Sequence, residues 1–132
     1  MTVEVVNPET LATPRGYSNG VALGPGRTLF VAGQIGWDAS ERLVSNELTG
    51  QFAQALDNVL AVVGAAGGEP SHIGRFTIYV TDKHEYLREA KAIGVAYRKR
   101  MGKHFPAMAL VQVADLLLDG AKVEIEATAV LP

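Results

Sequence analysis

The stretch KVEIEATAV, from Lys122 to Val130, lies near the end of the chain and alternates as a β-strand does. Successive side chains of a strand point to opposite faces, so one face here is apolar and the other carries Glu124, Glu126 and Thr128. The two carboxylates are about 6 to 7 Å apart, close enough for each to feel the charge of the other. Such an acidic face is either solvated, as on a one-sided antiparallel sheet, or part of a site.

Further strands are predicted upstream. RFTIYVTD, residues 75–82, alternates in the same way, and TLFVAGQIG, from Thr28, is continuously apolar from Leu29 to Ala32, as a strand covered on both faces would be. PAMALVQV, residues 106–113, precedes the final strand. Two short strands are expected at 3–6 and 20–23, and the sequence GPGR after the second predicts a hairpin turn.

Two segments have helical periodicity. From Glu47 to Ala66 apolar residues recur three and four positions apart, and Gly67 with Gly68 ends the pattern as a helix C-terminus does. A second helix is expected to end at Gly102. Its predicted inner stripe consists of Leu87, Ala90, Ile93, Gly94, Tyr97 and Met101.

The order of these elements indicates an α+β fold with two layers. Strand-helix-strand crossovers require both helices to pack on the same face of one mixed sheet. We expect a single domain over residues 1–132, because no linker, repeat or low-complexity tract divides the chain. The opposite face of the sheet has no helix to cover it, so it is expected to be wet or to form an oligomer interface.

Composition excludes several classes of function. The chain has no cysteine, which removes disulfides, zinc-thiolate sites and thiol nucleophiles and fits a reducing compartment. We expect a cytoplasmic protein, since no signal peptide or membrane-spanning run is found. A net charge of −2 gives no general attraction to nucleic acid or anionic lipid. Small molecules or further copies of the chain are the expected partners.

Common catalytic motifs are also missing. The three histidines, His72, His84 and His104, do not have the spacing of metal ligands, so no metal is expected. No serine lies in a G-x-S-x-G nucleophile elbow. The basic run YRKRMGK, residues 97–103, is explained by the preference of cations for a helix C-terminus.

A family resemblance joins several of these segments. AGQIG from Ala32, LDNVLAVVGAAGG from Leu56, FTIYVTD from Phe76, FPAMALVQV from Phe105 and VEIEATAV from Val123 together resemble the YjgF/RidA (Rid) family, also called the endoribonuclease L-PSP family. The resemblance runs from residue 17 to residue 130. It implies a chorismate-mutase-like fold, a homotrimer with ligand clefts between subunits, and hydrolysis of reactive enamines and imines without metal or organic cofactor.

The resemblance also implies roles for individual residues. Glu124 matches the family's water-positioning glutamate, Tyr17 the cleft tyrosine, and Gly33 a glycine whose backbone amide faces the ligand. Leu110 stands where a backbone carbonyl helps to hold the water. The family's Pro-Ala-Arg motif has Met108 in place of the arginine that binds a substrate carboxylate. A thioether carries no charge and donates no hydrogen bond, so we expect a substrate different from the standard 2-imino acids.

Three functions are compatible with methionine instead of arginine at position 108. The first is hydrolysis of an enamine or imine whose recognition does not need that arginine, such as the intermediates processed by the related 2-aminomuconate deaminases, with Arg75, Arg15 or a partner residue supplying charge. The second is a trimer that binds or senses a small molecule without catalysis. The third and weakest is cleavage of RNA, which the acidic balance and the lack of a histidine pair disfavour.

Overall fold

The structure is a computed structural model that describes residues 1–132. Its six strands are β1 (Thr2–Val6), β2 (Gly20–Gly24), β3 (Arg27–Ile35), β4 (Ile73–Val80), β5 (Ala107–Gln112) and β6 (Val123–Leu131). Its helices are α1 (Leu48–Ala65), α2 (Lys83–Arg88) and α3 (Ala90–Met101), with a 3₁₀ turn at Pro70–His72. No helix combines the length and the apolar character needed to cross a membrane.

The main sheet has four strands in the order β3-β6-β4-β5. β6 is antiparallel to both of its neighbours, whereas β4 and β5 are parallel. The sheet is therefore mixed, and the predicted α+β class is confirmed. The stretch that alternates most regularly, β6, is an inner strand, and every second residue from Val123 to Leu131 is buried.

All the helices contribute to one layer. α1 packs on β3 and β6, and α3 packs beside α1, so the core lies between this layer and the inner face of the sheet. Phe52 from α1, Phe76 from β4 and Tyr97 from α3 belong to the same buried cluster. The two crossovers, β3-α1-β4 and β4-α2-α3-β5, place the helices on the same face, as predicted.

The second helical segment differs from its prediction. It is broken at Glu89, so α2 and α3 are separate helices, and Leu87 is 66% exposed instead of lying on the inner stripe. Ile93, Tyr97 and Met101 are buried as expected. The break has a function in the fold, since the Glu89 carboxylate accepts hydrogen bonds from the backbone amide and the hydroxyl of Thr49 in the first turn of α1.

Two strand predictions are corrected. The turn GPGR does not close a hairpin, because β2 pairs only with β1 and β3 pairs with β6. The chain instead leaves a two-stranded sheet and enters the main one at this turn. β3 is not covered on both faces within the chain: Val31 is buried, but its neighbour Phe30 is 79% exposed on the outer face.

Candidate functional site

Glu124 lies on the outer face of β6, opposite the helices, and its side chain is half-buried. The register of β3 shifts between Val31 and Gln34, a bulge that brings Gly33 against this carboxylate. A Cβ atom on Gly33 would lie only 2.6 Å from Glu124 Oε2, so only glycine fits here without displacing the carboxylate. The structure thus brings together Gly33 and Glu124, two of the residues singled out in the sequence.

Glu126, on the same face, has a different environment. Its Oε1 accepts a 2.7 Å hydrogen bond from the Tyr79 hydroxyl. This bond raises the pKa of Tyr79, and desolvation and the negative charges of Glu126 and Glu124 raise it further. Glu124 accepts no hydrogen bond from the chain, so its carboxylate is free to bind a ligand or a water molecule. The sequence alone could not separate the two glutamates.

Met108 and Leu110 lie on the inner, helix-facing side of β5, opposite Phe76 and Ile78 of β4. Met108 lines a cavity of about 240 Å³ between β5 and α3, where Tyr86 and Phe105 are also found. Burial raises the pKa of Tyr86, which keeps its hydroxyl protonated and able to donate. Sequence reasoning missed Tyr86, because one tyrosine in a short helix gives no periodic signal.

Tyr17 belongs to a loop that is tied to the beginning of β5. The Ser18 backbone amide donates to the Pro106 carbonyl at 3.1 Å, and the Ser18 hydroxyl donates to the Phe105 carbonyl. Tyr17 is 38% exposed and lines a surface cleft of about 410 Å³ together with Arg75 and Met108. Tyr17 and Met108 are therefore neighbours at the edge of the sheet.

The candidate residues thus form two groups in one chain. Gly33 and Glu124 lie on β3 and β6, on the outer face, whereas Tyr17 and Met108 lie at the β5 edge. β4 stands between β6 and β5, and Met108 points to the face opposite Glu124. Two strand spacings, about 10 Å, together with the thickness of the sheet, separate the groups. A single chain does not join them into one cleft.

The structure gives no sign of a metal site. No group of three or more histidine, aspartate or glutamate side chains could hold an ion. His72 Nδ1 accepts from the Glu69 amide, and His104 Nε2 lies 2.7 Å from the Ile73 carbonyl oxygen, so both have structural hydrogen bonds. The basic run at 97–103 is the end of α3, where Arg100 pairs with Asp57 at 2.7 Å.

Fold and candidate site together define a small α+β protein with a free carboxylate against a glycine bulge and an apolar cavity at the sheet edge. The family model described as Endoribonuclease L-PSP matches residues 8–131. The chain belongs to this family, which is the YjgF/RidA family that its sequence motifs resemble.

The relatives agree with this assignment. The chain is 36% identical over 115 residues to protein DfrA of Myxococcus xanthus, covering 86% of this chain and 84% of that protein. It is 35% identical over 117 residues to the 2-iminobutanoate/2-iminopropanoate deaminase of Salmonella typhimurium, covering 86% of each. A crystal structure of the Rid family protein YyfB from Yersinia pestis superposes with a TM-score of 0.88 at 35% identity, covering 99% of this chain and 100% of that one.

Proposed function

We propose that this protein is a cofactor-free hydrolytic deaminase that converts a reactive enamine or imine to a carbonyl compound and ammonia. The observation that carries the proposal is the contrast between the two glutamates of β6. Glu126 is engaged by Tyr79, whereas Glu124 lies free against Gly33. Relatives named as 2-iminobutanoate/2-iminopropanoate deaminases support the same class of reaction.

The proposed chemistry needs few groups. Water adds to the carbon of the C=N bond, and the nitrogen leaves as ammonia after it has been protonated. Glu124 accepts a proton from the attacking water and returns it to the leaving nitrogen. The Gly33 amide and the Leu110 carbonyl are proposed to orient the substrate and the water. No step calls for a metal ion or an organic cofactor.

A homotrimer is part of this proposal, because the two groups of residues lie apart within one chain. We infer that the Gly33 and Glu124 side of one subunit faces the Tyr17 and Met108 edge of another. The exposed outer face of the sheet, with Phe30 79% exposed, supplies apolar surface for such an assembly. A cleft between subunits would also shelter the reacting atoms from bulk water.

The first experiment compares Glu124→Gln with Glu126→Gln. Ammonia release is measured from freshly generated imines of several amino acids. We expect Glu124→Gln to lower kcat by about a hundredfold or more, since the amide accepts no proton. Glu126→Gln keeps a hydrogen-bond acceptor for Tyr79 and should retain most of the activity. Equal losses in both variants, or full activity in Glu124→Gln, would remove the proposed role of Glu124.

A second comparison uses Met108→Arg and 2-aminoacrylate. We expect the wild type to be weak on this small substrate and the Met108→Arg variant to gain activity, because arginine can bind the carboxylate with two hydrogen bonds. Activity in neither protein on any imine would favour the binding or sensing trimer instead. Strong wild-type activity on 2-aminoacrylate would show that position 108 does not select the substrate.

A further inference from the structure

The cavity beside Met108 is mostly apolar. Phe52, Ile78, Ile93, Phe105 and Met108 line it. One wall is the stacked pair of Tyr97 and Phe105, whose ring centroids are 5.5 Å apart. The volume of about 240 Å³ is smaller than a typical pocket for a drug-sized ligand, and it suits one branched or aromatic side group.

Few polar side chains in the lining of this cavity are free to bind a ligand. The Tyr97 hydroxyl donates to the His104 carbonyl at 2.8 Å and is not available to a ligand. The Tyr86 hydroxyl is available, and the one charged residue of the lining is Arg98. The two ion pairs of the chain join Arg100 to Asp57 and Lys122 to Glu85, so Arg98 has no acidic partner.

The Arg98 guanidinium lies over Gly94. The two residues are one helical turn apart, and Arg98 Nη1 lies 3.1 Å from the point that a Cβ of residue 94 would occupy. The guanidinium therefore folds back over the backbone of α3, toward the opening of the cavity. A Cβ at residue 94 would require the guanidinium to shift by a few tenths of an ångström.

We propose that Arg98 and the cavity beside Met108 select a 2-imino acid with a branched or aromatic side group. The side group enters the cavity, and Arg98 at the opening binds the carboxylate, which compensates for the missing arginine at 108. The reaction in this inference rests on the proposed function, whereas the binding of the carboxylate and the side group does not. Arg75 is the competing cation, but it lines the surface cleft beside Tyr17 and not this cavity, whose one charged lining residue is Arg98.

Binding can be tested without turnover by calorimetry, with stable 2-oxo acids as probes. Phenylpyruvate and 4-methyl-2-oxopentanoate carry the expected side groups, and pyruvate is the small control. We expect the wild type to bind the two larger acids about tenfold or more tightly than pyruvate. Arg98→Met should weaken them by about tenfold to a hundredfold, as expected for loss of a charge-assisted contact.

Two matched controls accompany this variant. Lys99→Met removes a neighbouring positive charge from α3, and Arg75→Met removes the competing cation; both should bind the larger acids as the wild type does. Ala90 is exposed and lines the cavity, whereas Ala92 is exposed outside it. Ala90→Phe should therefore weaken phenylpyruvate but not pyruvate, and Ala92→Phe should change neither.

Each other outcome counts against the inference. No preference for the larger acids would remove the cavity as a side-group site. A loss with Arg75→Met or Lys99→Met equal to that with Arg98→Met would remove the specific role of Arg98. Because binding of oxo acids needs no catalysis, an active Glu124→Gln enzyme would defeat the proposed reaction while leaving this result unaffected.

Discussion

Glu124 and Glu126 have the same side chain and share one face of β6, yet their neighbours differ. Tyr79 on β4 donates to Glu126, while the bulge of β3 places Gly33 against Glu124. The alternation in the sequence predicted the shared face but could not tell which carboxylate is free. That difference comes from two other strands, and residues on different strands are brought together only by the tertiary fold.

The tyrosines provide a pH prediction. A hydrogen bond to Glu126 raises the pKa of Tyr79 above its ordinary value of 10.0, and burial raises the pKa of Tyr86 and Tyr97. A raised pKa in the folded state means that the neutral form is favoured there. The contribution of these neutral tyrosines to the stability of the folded state is fully present below the unfolded-state pKa of 10.0. It is lost as the pH rises through the folded-state pKa values of the same tyrosines.

We therefore expect the urea midpoint to fall as pH rises above about 10. Tyrosinate absorbance of the folded protein should show Tyr79, Tyr86 and Tyr97 ionising late. Tyr97→Phe should remove one late component and Tyr79→Phe another. Titration of every tyrosine at its ordinary pKa in the folded protein would contradict this prediction.

At the scale of elements, Gln51 joins α1 to the start of β6. Its side chain is fully buried and makes three hydrogen bonds: Nε2 donates to the carbonyls of Ser45 and Gly120, and Oε1 accepts from the Lys122 amide at 2.7 Å. Lys122 directly precedes the strand that carries Glu124. The helical stripe in the sequence did not indicate this role, because a polar residue inside a helix is ordinarily solvated.

Gln51→Leu should lower the free energy of unfolding by about 2 to 4 kcal/mol, since it leaves buried backbone groups without partners. Gln54→Leu is the matched control. Gln54 is only partly buried and bonds Asn58 within the same helix, so its loss should cost less than about 0.5 kcal/mol. Urea denaturation measures both, and a Gln51→Leu protein as stable as the control would show that the three bonds contribute little.

The interruption between α2 and α3 is a second feature at the scale of elements. The apolar periodicity of residues 87–101 predicted one helix, but the helix is interrupted at Glu89, whose carboxylate bonds the first turn of α1. The N-cap residue of α1, Glu47, makes no side-chain hydrogen bond of its own. A distant acidic side chain thus satisfies donors that a local cap would otherwise bond, and local sequence gives no sign of such long-range capping.

For the whole molecule, the outer face of the main sheet is the surface that no helix of the chain covers. Phe30 lies there, 79% exposed, although it belongs to a continuously apolar strand. If this face packs in a trimer, Phe30→Asp should give a monomeric mass by light scattering and abolish ammonia release, because the proposed cleft needs two subunits. A further carboxylate buried at this face, where Phe30 and Glu126 line the same pocket, is strongly unfavourable.

Leu117 supplies the control for that experiment. It is fully exposed in the loop before β6, so Leu117→Asp should leave both the mass and the activity unchanged. A wild type that is monomeric at micromolar concentration would contradict the trimer. A trimeric Phe30→Asp protein would place the interface elsewhere.

The sequence by itself determined the α+β class, the long helix α1, the alternation of β4 and β6, and the family, because each rests on local periodicity or on short motifs. Only the tertiary structure decided that β6 is an inner strand, that GPGR links two different sheets, and that Glu124 is free while Glu126 is bonded. It also placed Arg98 at the opening of the cavity beside Met108. These features depend on pairing between strands and packing of side chains far apart in the chain, which no local pattern of residues encodes.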